Sequence, residues 1–209
     1  DEHAQKIGYK RGKNEAWFFI ESDPGASIVY GQKTKNKEEL QEMINQDKWD
    51  DIYKKYPVAD GDFVYLPAGC LHAMGKGNVV YEIQQSTDVT YRFYDYHRKD
   101  KDGNERELHL KQAIDCLSFD KDIDKNDVHP VVKVHENMKE TIFISNDSFT
   151  VSQLLVIGKC QYKCDNYQLA TVVKGSGKVD EYDVKVGDNF LIPTNTSIEL
   201  DGQMMIMMT

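Results

Sequence analysis

The sequence predicts a mainly β protein, made of two related β domains of the sandwich or barrel type with a small helical insertion in the first. Three observations support this prediction: many short β-prone runs separated by turn residues, an internal repeat, and a helical pattern inserted at about 36–55. With 209 residues, 40% of them hydrophobic, the chain can form one large core or two small ones. We expect domains at 1–118 and 130–209.

The two domains are predicted to be joined by a linker at 119–129, because this stretch is polar and irregular. The second domain contains the densest series of short β-prone runs. They lie at 131–134, 141–144, 149–157, 167–173, 177–179, 189–192 and 204–208. Gly, Asn, Asp and Ser separate these runs, which is typical of strands joined by tight turns.

The elements of the first domain are predicted from turn and cap signals. Two β-prone runs, 17–20 and 27–30, flank a Ser-Asp-Pro-Gly turn and predict a hairpin. Asn36 and Glu39 have the spacing of a capping box and start the helical insertion. Further along, 79–84 and 90–96 are β-rich, whereas 107–117 has helical spacing.

The internal repeat is centred on two glycines. Gly61 and Gly187 are each followed by Asp, by an apolar pair and, at the same offset, by Pro. At one further matching position the first copy has His72 and the second has Ile198. A framework that is used twice, once with a metal-type ligand and once with an aliphatic residue, predicts that the chemistry belongs to the first domain.

Composition narrows the class of protein. There are 35 acidic and 26 basic residues, a net charge of -9, which disfavours nonspecific binding to nucleic acid. No apolar run approaches the roughly 18 residues that cross a bilayer, and no charged-then-apolar leader is present, so we expect a cytoplasmic protein without a membrane partner. The four cysteines lack CxxC spacing and are predicted to be free thiols; Cys160 and Cys164 share a strand face, which is weak evidence for a metal site.

A first resemblance rests on the spacing after Gly61. Together with Pro67, Gly69 and His72, this glycine resembles the second conserved motif of the cupin superfamily. Glycine and aspartate form the turn, Pro67 and Gly69 bend the returning strand, and His72 faces the interior. A lone histidine at a β edge is more often a core or surface residue, but this spacing favours a ligand. The resemblance implies two cupin-like jelly-roll or β-barrel domains.

A narrower resemblance comes from four segments in order, 12–17, 66–73, 91–99 and 106–110. They resemble the type I mannose-6-phosphate isomerases, also called phosphomannose isomerases, in their short bacterial form. The resemblance implies an enzyme that interconverts mannose 6-phosphate and fructose 6-phosphate with one zinc ion. A sugar phosphate would be its small-molecule partner.

The resemblance also implies roles for particular residues. Glu15 and His72 match two zinc ligands, and Arg92 matches the catalytic arginine. Lys13 matches the lysine beside the ligating glutamate, and Glu82 matches an active-site carboxylate. Arg98 stands where other members have a phosphate-binding lysine, which makes this assignment the weakest.

These residue types suit an isomerisation through a cis-enediol. The proton on C2 of the open-chain sugar moves to C1, so a base and an electrophile must flank two adjacent oxygens. Zinc would polarise the oxygens, and Arg92 would stabilise the developing enediolate. Lys13 and Glu82 are both candidates for proton transfer or ring opening, and the sequence does not rank them. Each also has an ordinary interpretation as a solvated surface charge.

The sequence departs from the family at the metal site. In the family, the other two zinc ligands, a Gln and a His, lie on a strand just upstream of the segment that corresponds to Asp1-Glu2-His3-Ala4, and this strand is not in the sequence. Catalytic zinc normally has three protein ligands and an open position. Glu15 and His72 supply two of these ligands, and His3 could replace a missing one only if the terminus folds inward. We therefore expect an isomerase that lacks its N-terminal portion, with weak metal binding and little turnover. An exposed sheet edge would also permit self-association.

Two other classes of function remain open from the sequence. A noncatalytic cupin module that binds a sugar or sugar phosphate would use the same cavity. A cupin oxygenase with iron is less favoured, because such sites usually have several histidines at short spacing. Glutamate and histidine alone do not identify the metal.

Overall fold

A computed structural model of the chain describes residues 2–119 and 128–209. The described helices are α1 Glu2–Lys6, α2 Lys37–Asn45, α3 Trp49–Ile52 and α4 Leu110–Cys116. The described strands are β1 Glu15–Ser22, β2 Ser27–Gln32, β3 Tyr53–Pro57, β4 Phe63–Leu66, β5 His72–Ala73, β6 Asn78–Gln84, β7 Val131–His135, β8 Met138–Ser145, β9 Thr150–Ile157, β10 Cys160–Cys164, β11 Gln168–Val179, β12 Tyr182–Lys185, β13 Asn189–Ile192 and β14 Thr196–Met208. Most of the predicted linker falls on 120–127, outside the described residues. No described helix has the length and apolar character needed to span a membrane.

The strands form antiparallel sheets, which confirms the prediction of a mainly β protein. The first half has two three-stranded sheets, in the orders β4-β1-β6 and β3-β2-β5. The second half has an eight-stranded sheet with the path β12-β11-β14-β9-β8-β7, in which β10 pairs with β14 and β13 with β11. All these neighbours are antiparallel, as expected for strands joined by short turns.

Both copies of the repeat have the same backbone hydrogen bonds. The glycine of each turn donates to a neighbouring strand, and that strand donates back to the aspartate after the glycine. The bonds are Gly61 N–H to Phe19 O at 2.8 Å, Phe19 N–H to Asp62 O at 2.9 Å, Gly187 N–H to Val172 O at 2.9 Å and Val172 N–H to Asp188 O at 3.0 Å. Both glycines have positive φ, 83° and 92°, which only glycine adopts without strain.

Strand β1 is buried on both faces. Trp17 and Phe19 belong to the core of the first half, whereas Ala16 and Phe18 belong to a cluster shared with the second half. This alternation is the period-two pattern of a strand between two packed layers. In the shared cluster, Phe143 of β8 stacks on Phe63 of β4, with ring centroids 4.7 Å apart and planes at 8°. The two halves therefore share an apolar interface.

The predicted hairpin at 17–30 is wrong. Strand β1 pairs with β4 and β6, whereas β2 pairs with β3 and β5. The turn after Ser22 therefore connects two sheets instead of two neighbouring strands. A turn signal specifies a reversal of the chain, but the partner of each strand depends on contacts distant in sequence.

Two boundaries also differ from the prediction. The helical insertion ends at Ile52, and Tyr53 begins β3, where it pairs with Gln32. The aromatic residue continues the apolar stripe, but pairing with β2 determines the backbone conformation. Residues 90–96 form no strand; the backbone of Arg92 in this segment bonds to His109 across a loop instead of to a sheet.

Candidate active site

One cavity of about 520 Å³ in the first half is lined by every site residue that the sequence predicts. These residues are Lys13, Glu15, His72, Glu82, Arg92 and Arg98. They come from the segment just before β1, from strands β1, β5 and β6, and from the loop after β6, so they are brought together by tertiary structure instead of sequence proximity.

Glu15 and His72 face each other across the cavity. Glu15 starts β1, where it pairs with Leu66, and is only 5% exposed; His72 starts β5 and pairs with Tyr30. The Nε2 atom of His72 lies 3.7 Å from Oε2 of Glu15. Two ligand atoms, each at about 2.1 Å from one tetrahedral zinc ion, would be roughly 3.4 Å apart, so this pair of side chains could occupy two of the ligand positions around a single zinc ion.

The other nitrogen of His72 fixes the tautomer of the ring. Nδ1 lies 3.0 Å from the carbonyl oxygen of Cys70, and a carbonyl can only accept. The hydrogen bond therefore requires a proton on Nδ1, so in the neutral ring the lone pair belongs to Nε2, the nitrogen that faces Glu15. This arrangement is typical of metal-binding histidines, whose second nitrogen is held by a backbone carbonyl or carboxylate.

The carboxylate of Glu15 is influenced by burial and by three neighbours. Burial raises its pKa, and a hydrogen bond with Glu82 raises it further, whereas His72 and Lys13 oppose the increase. Lys13 Nζ lies 3.1 Å from Oε1 of Glu15 and 3.4 Å from the hydroxyl of Thr90.

Within 2–119 and 128–209, no three His, Cys, Asp or Glu side chains are grouped to hold a metal.

Glu82 lies opposite Trp17 in the β1–β6 pair. The indole Nε1 of Trp17 donates to its carboxylate at 3.0 Å, and the same indole contacts the His72 ring edge-on at 5.5 Å. Trp17 therefore positions two candidate site residues. No site role was predicted for Trp17 from the sequence, although its position two residues after Glu15 puts both on one face of β1.

Arg92 is held by a second segment of chain. Its backbone N–H donates to Nδ1 of His109 at 3.1 Å, and the backbone N–H of His109 donates to the carbonyl of Arg92 at 2.8 Å. The guanidinium also donates to the carbonyl of Glu107 at 2.9 Å. His109 was part of the motif that carried the resemblance, but its positioning contact was not predicted.

Arg98 shares a carboxylate with Arg106, a residue that the sequence analysis did not identify as part of the site. Asp95 accepts from Nε of Arg98 at 3.1 Å and from Nε of Arg106 at 2.6 Å, and a terminal nitrogen of each arginine donates as well. The hydrogen bond from Arg106, and then that from Arg98, holds the pKa of Asp95 well below its usual range despite burial. All three residues line the cavity.

His3, in helix α1, also lines the cavity. Its Nε2 is buried without a hydrogen-bond partner among the described residues, and its ring meets Tyr91 edge-on at 6.2 Å. Helix α1 thus lies against the site, which any role of His3 requires. However, His3 does not complete a group of three ligands with Glu15 and His72 in the described structure.

The second half has neutral residues at the corresponding positions. Glu15 pairs with Leu66 after the first turn, and Gln168 pairs with Ile192 after the second. In the same register, Glu82 lies opposite Trp17, whereas Met208 lies opposite Ala170. With Ile198 in place of His72, the repeat in the second half lacks each of these three ionisable groups.

The fold and this site define the class of the chain as a cupin-fold protein, and a family model agrees. The model for the cupin domain of mannose-6-phosphate isomerase matches residues 139–209. A putative mannosephosphate isomerase from Archaeoglobus fulgidus, at 17% identity, shares the fold with a TM-score of 0.73 and covers all of this chain and 64% of its own.

Two closer comparisons identify the family. The crystal structure of mannose 6-phosphate isomerase from Bacillus subtilis is 30% identical, with a TM-score of 0.93 over all of this chain and 68% of its own. The mannose-6-phosphate isomerase of Streptococcus mutans is 38% identical over 93% of this chain and 63% of its own length. The chain belongs to the mannose-6-phosphate isomerase family. It spans 58–63% of the length of the curated relatives it matches.

Proposed function

We propose that the protein is an aldose-ketose isomerase that interconverts mannose 6-phosphate and fructose 6-phosphate through a cis-enediol. The observation that supports this most directly is the convergence of Lys13, Glu15, His72, Glu82 and Arg92 on one cavity in a member of this family. An isomerisation of this kind needs a proton carrier and a stabiliser of negative charge side by side, and the cavity offers both.

The metal expected from the sequence fits two residues. Glu15 and His72 would hold zinc, since the buried carboxylate lies 3.7 Å from Nε2 of His72, the nitrogen that carries the lone pair in the neutral ring. When bound, zinc would polarise the substrate oxygens. The prediction that this chain alone binds zinc weakly follows from a set of two ligands where three are normal.

The other polar residues act on the sugar directly. The guanidinium of Arg92, fixed by the carbonyl of Glu107, stabilises the charge that develops on the enediolate oxygens. The proton transfer needs a separate general acid or base, which typically contributes about 10² to 10⁴ in rate. Both Lys13 and Glu82 remain candidates: the ammonium lies between Glu15 and Thr90, and the carboxylate is oriented by an indole N–H.

We also propose two cupin-like jelly-roll domains, 1–118 and 130–209, of which the first is catalytic and the second structural. The identical backbone bonds of the two repeat turns support this organisation. The neutral residues Gln168, Ile198 and Met208 support the assignment of the chemistry to the first domain, because none of them can act as a general acid or base at neutral pH and Ile198, in the place of His72, has no donor atom for a metal.

The proposal is tested by following conversion of mannose 6-phosphate in a coupled assay. We expect turnover to be lost on chelation, to return with zinc, and to fall by at least about 10² in Arg92→Ala. Activity that survives both chelation and Arg92→Ala would refute the proposal. Tight binding of sugar phosphates with no turnover in any metal form would favour the noncatalytic sugar-binding module instead.

The weak-binding prediction is checked by elemental analysis of the 209-residue chain. We expect less than one zinc per chain, and full occupancy would mean that a third ligand has been recruited. Self-association also remains a prediction, supported by β7 at the edge of its sheet with Val131, Val132 and Val134 exposed. Sedimentation at several concentrations measures it, and a constant monomer mass would contradict it.

A further inference from the structure

We propose that Asp95 is a positioning residue that holds Arg106 and Arg98 as a paired guanidinium subsite, and that Arg106 contacts the phosphate group of the substrate. The subsite would take a phosphate monoester dianion. This inference rests on the proposed isomerase function and deepens it, because the resemblance implies a phosphate contact at Arg98 alone and gives no role to Arg106 or Asp95.

Burial distinguishes this cluster from an ordinary surface ion pair. The side chain of Asp95 is 6% exposed, whereas those of Arg106 and Arg98 are 45% and 66% exposed. The carboxylate is therefore covered by two guanidinium groups that themselves reach solvent on the rim of the cavity. Isolated surface pairs hold side chains weakly, but here Arg106 makes a bidentate contact with both oxygens of a buried carboxylate, and two N–H groups of Arg98 share its Oδ1, so both guanidinium planes are held.

The hydrogen bonds leave donors available for a ligand. Arg106 and Arg98 each use Nε and one terminal nitrogen for Asp95. Each guanidinium has five N–H groups, so at least three on each arginine are not used by this carboxylate. The planar fork that remains matches the oxygens of a phosphate group.

The charge of the cluster selects an anion. One carboxylate and two guanidinium groups give a local net charge of +1, although the whole chain carries -9. The two cations would repel each other without Asp95 between them. Because the same cavity contains Glu15 and His72, a sugar phosphate could place its reacting carbons at that pair and its phosphate at the rim.

The backbone is shaped to bring these residues together. Tyr96 and His97 both have positive φ, 52° and 53°, an uncommon conformation for residues other than glycine. This turn allows the N–H of Arg98 to donate to the carbonyl of Asp95 at 3.0 Å. A bridge between Lys99 and Glu105 then returns the chain so that Arg106 reaches the same aspartate. Strain of this kind persists where the surrounding structure requires it.

The segment is also anchored from behind. Tyr94 stacks on Trp49 with ring centroids 4.5 Å apart and planes at 15°, and Phe93 meets the same indole edge-on at 5.8 Å. The rim is therefore attached to the helical insertion through α3. A fixed rim favours a binding role, because a preorganised site loses less conformational entropy when the ligand binds.

The first test uses Arg106→Lys, which keeps the charge but not the fork. Inorganic phosphate and fructose 6-phosphate serve as probes in isothermal titration calorimetry at low salt. We expect the affinity of both to fall about three- to tenfold in Arg106→Lys and about ten- to hundredfold in Arg106→Ala. Lys101→Ala is the matched control, since Lys101 is an exposed cation in the same hairpin and does not line the cavity.

Asp95→Asn separates positioning from charge. Removal of a nearby negative charge alone would tighten phosphate binding, whereas loss of the fixed guanidinium planes weakens it. We expect a weaker affinity and a raised KM for mannose 6-phosphate, with kcat within about threefold of the parent. Thermal unfolding of each variant identifies any that fail to fold, and the Arg106 pair then decides alone.

The outcomes separate this inference from the isomerase proposal. Turnover of mannose 6-phosphate with unchanged phosphate affinity in both Arg106 variants would overturn the inference and leave the function intact. Phosphate binding that depends on Arg106 without any isomerase turnover would support the subsite and overturn the function. Absence of phosphate binding by the parent, or equal losses in Lys101→Ala, would also overturn the subsite.

Discussion

The interface between the two halves gives the strongest prediction about stability. Phe143 is 9% exposed and stacks on Phe63 with ring centroids 4.7 Å apart, and the ring of Phe18 is tilted against it at 5.5 Å. Truncation of a buried phenylalanine to alanine typically costs about 3–5 kcal/mol, of which about 0.5–1.5 kcal/mol belongs to the ring pair. For Phe143→Ala we therefore expect a loss of about 3–5 kcal/mol in the free energy of unfolding.

The assay exploits the position of the two tryptophans. Trp17 and Trp49 both lie in the first half, so their fluorescence during urea unfolding reports on that half, whereas Phe143 lies in the second. Phe190→Ala is the control, because Phe190 packs against the core of the second half alone. A fluorescence transition that moves by less than about 1 kcal/mol in Phe143→Ala, or moves equally in the control, would refute coupling through the interface.

Three further predictions concern single residues. Gly69→Ala should cost at least about 1 kcal/mol more stability than Gly61→Ala, although both glycines have positive φ. A Cβ at Gly69 would lie 2.8 Å from the carbonyl oxygen of Cys116, whereas a Cβ at Gly61 would meet open space. Equal midpoints in urea unfolding would contradict this prediction. Trp17→Phe should lower kcat/KM by about tenfold or more with unchanged metal content, because a carboxylate loses its indole donor; full activity would show that the bond is dispensable. The folded pKa of Asp95 is depressed, so the stabilisation by its carboxylate is present above the unfolded value of about 3.9 and is lost as pH falls through the folded pKa. The difference in free energy of unfolding between the parent and Asp95→Asn, measured with urea, should therefore be constant from about pH 5 to 8 and shrink only below about pH 4. A difference that narrows near pH 6 would point to another group.

Local signals in the sequence predicted the strands and the turn of the repeat well. The glycine and aspartate after residue 60 are chosen for a backbone conformation that the surrounding sequence can specify, and the structure has positive φ at Gly61 and Gly187 as a result. The hairpin prediction failed for the opposite reason. Which strand lies beside β1 depends on β4 and β6, which are about 40 to 60 residues away, and no turn signal carries that information.

The site was predicted to the extent that it lies on strands or in a family motif. Glu15, His72 and Glu82 were placed in one site by resemblance, and the structure brings them to one cavity. Asp95 and Arg106 were not singled out, because their contact depends on a left-handed turn at nonglycine residues. Propensities do not predict such a conformation, since it exists only where tertiary contacts compensate for its strain.

The alternation along β1 gives the second half a role in the site. Glu15 and Trp17 lie on one face of this strand, while Ala16 and Phe18 lie on the other, against the second half. A slip of one residue would move Glu15 out of the cavity and expose or misplace the aromatic residues. The packing of Phe18 and Phe63 on Phe143 opposes that slip. The second half has no ionisable counterparts of Glu15, His72 and Glu82. Its packing nevertheless helps to fix the register of β1 that places Glu15 beside His72 in the cavity.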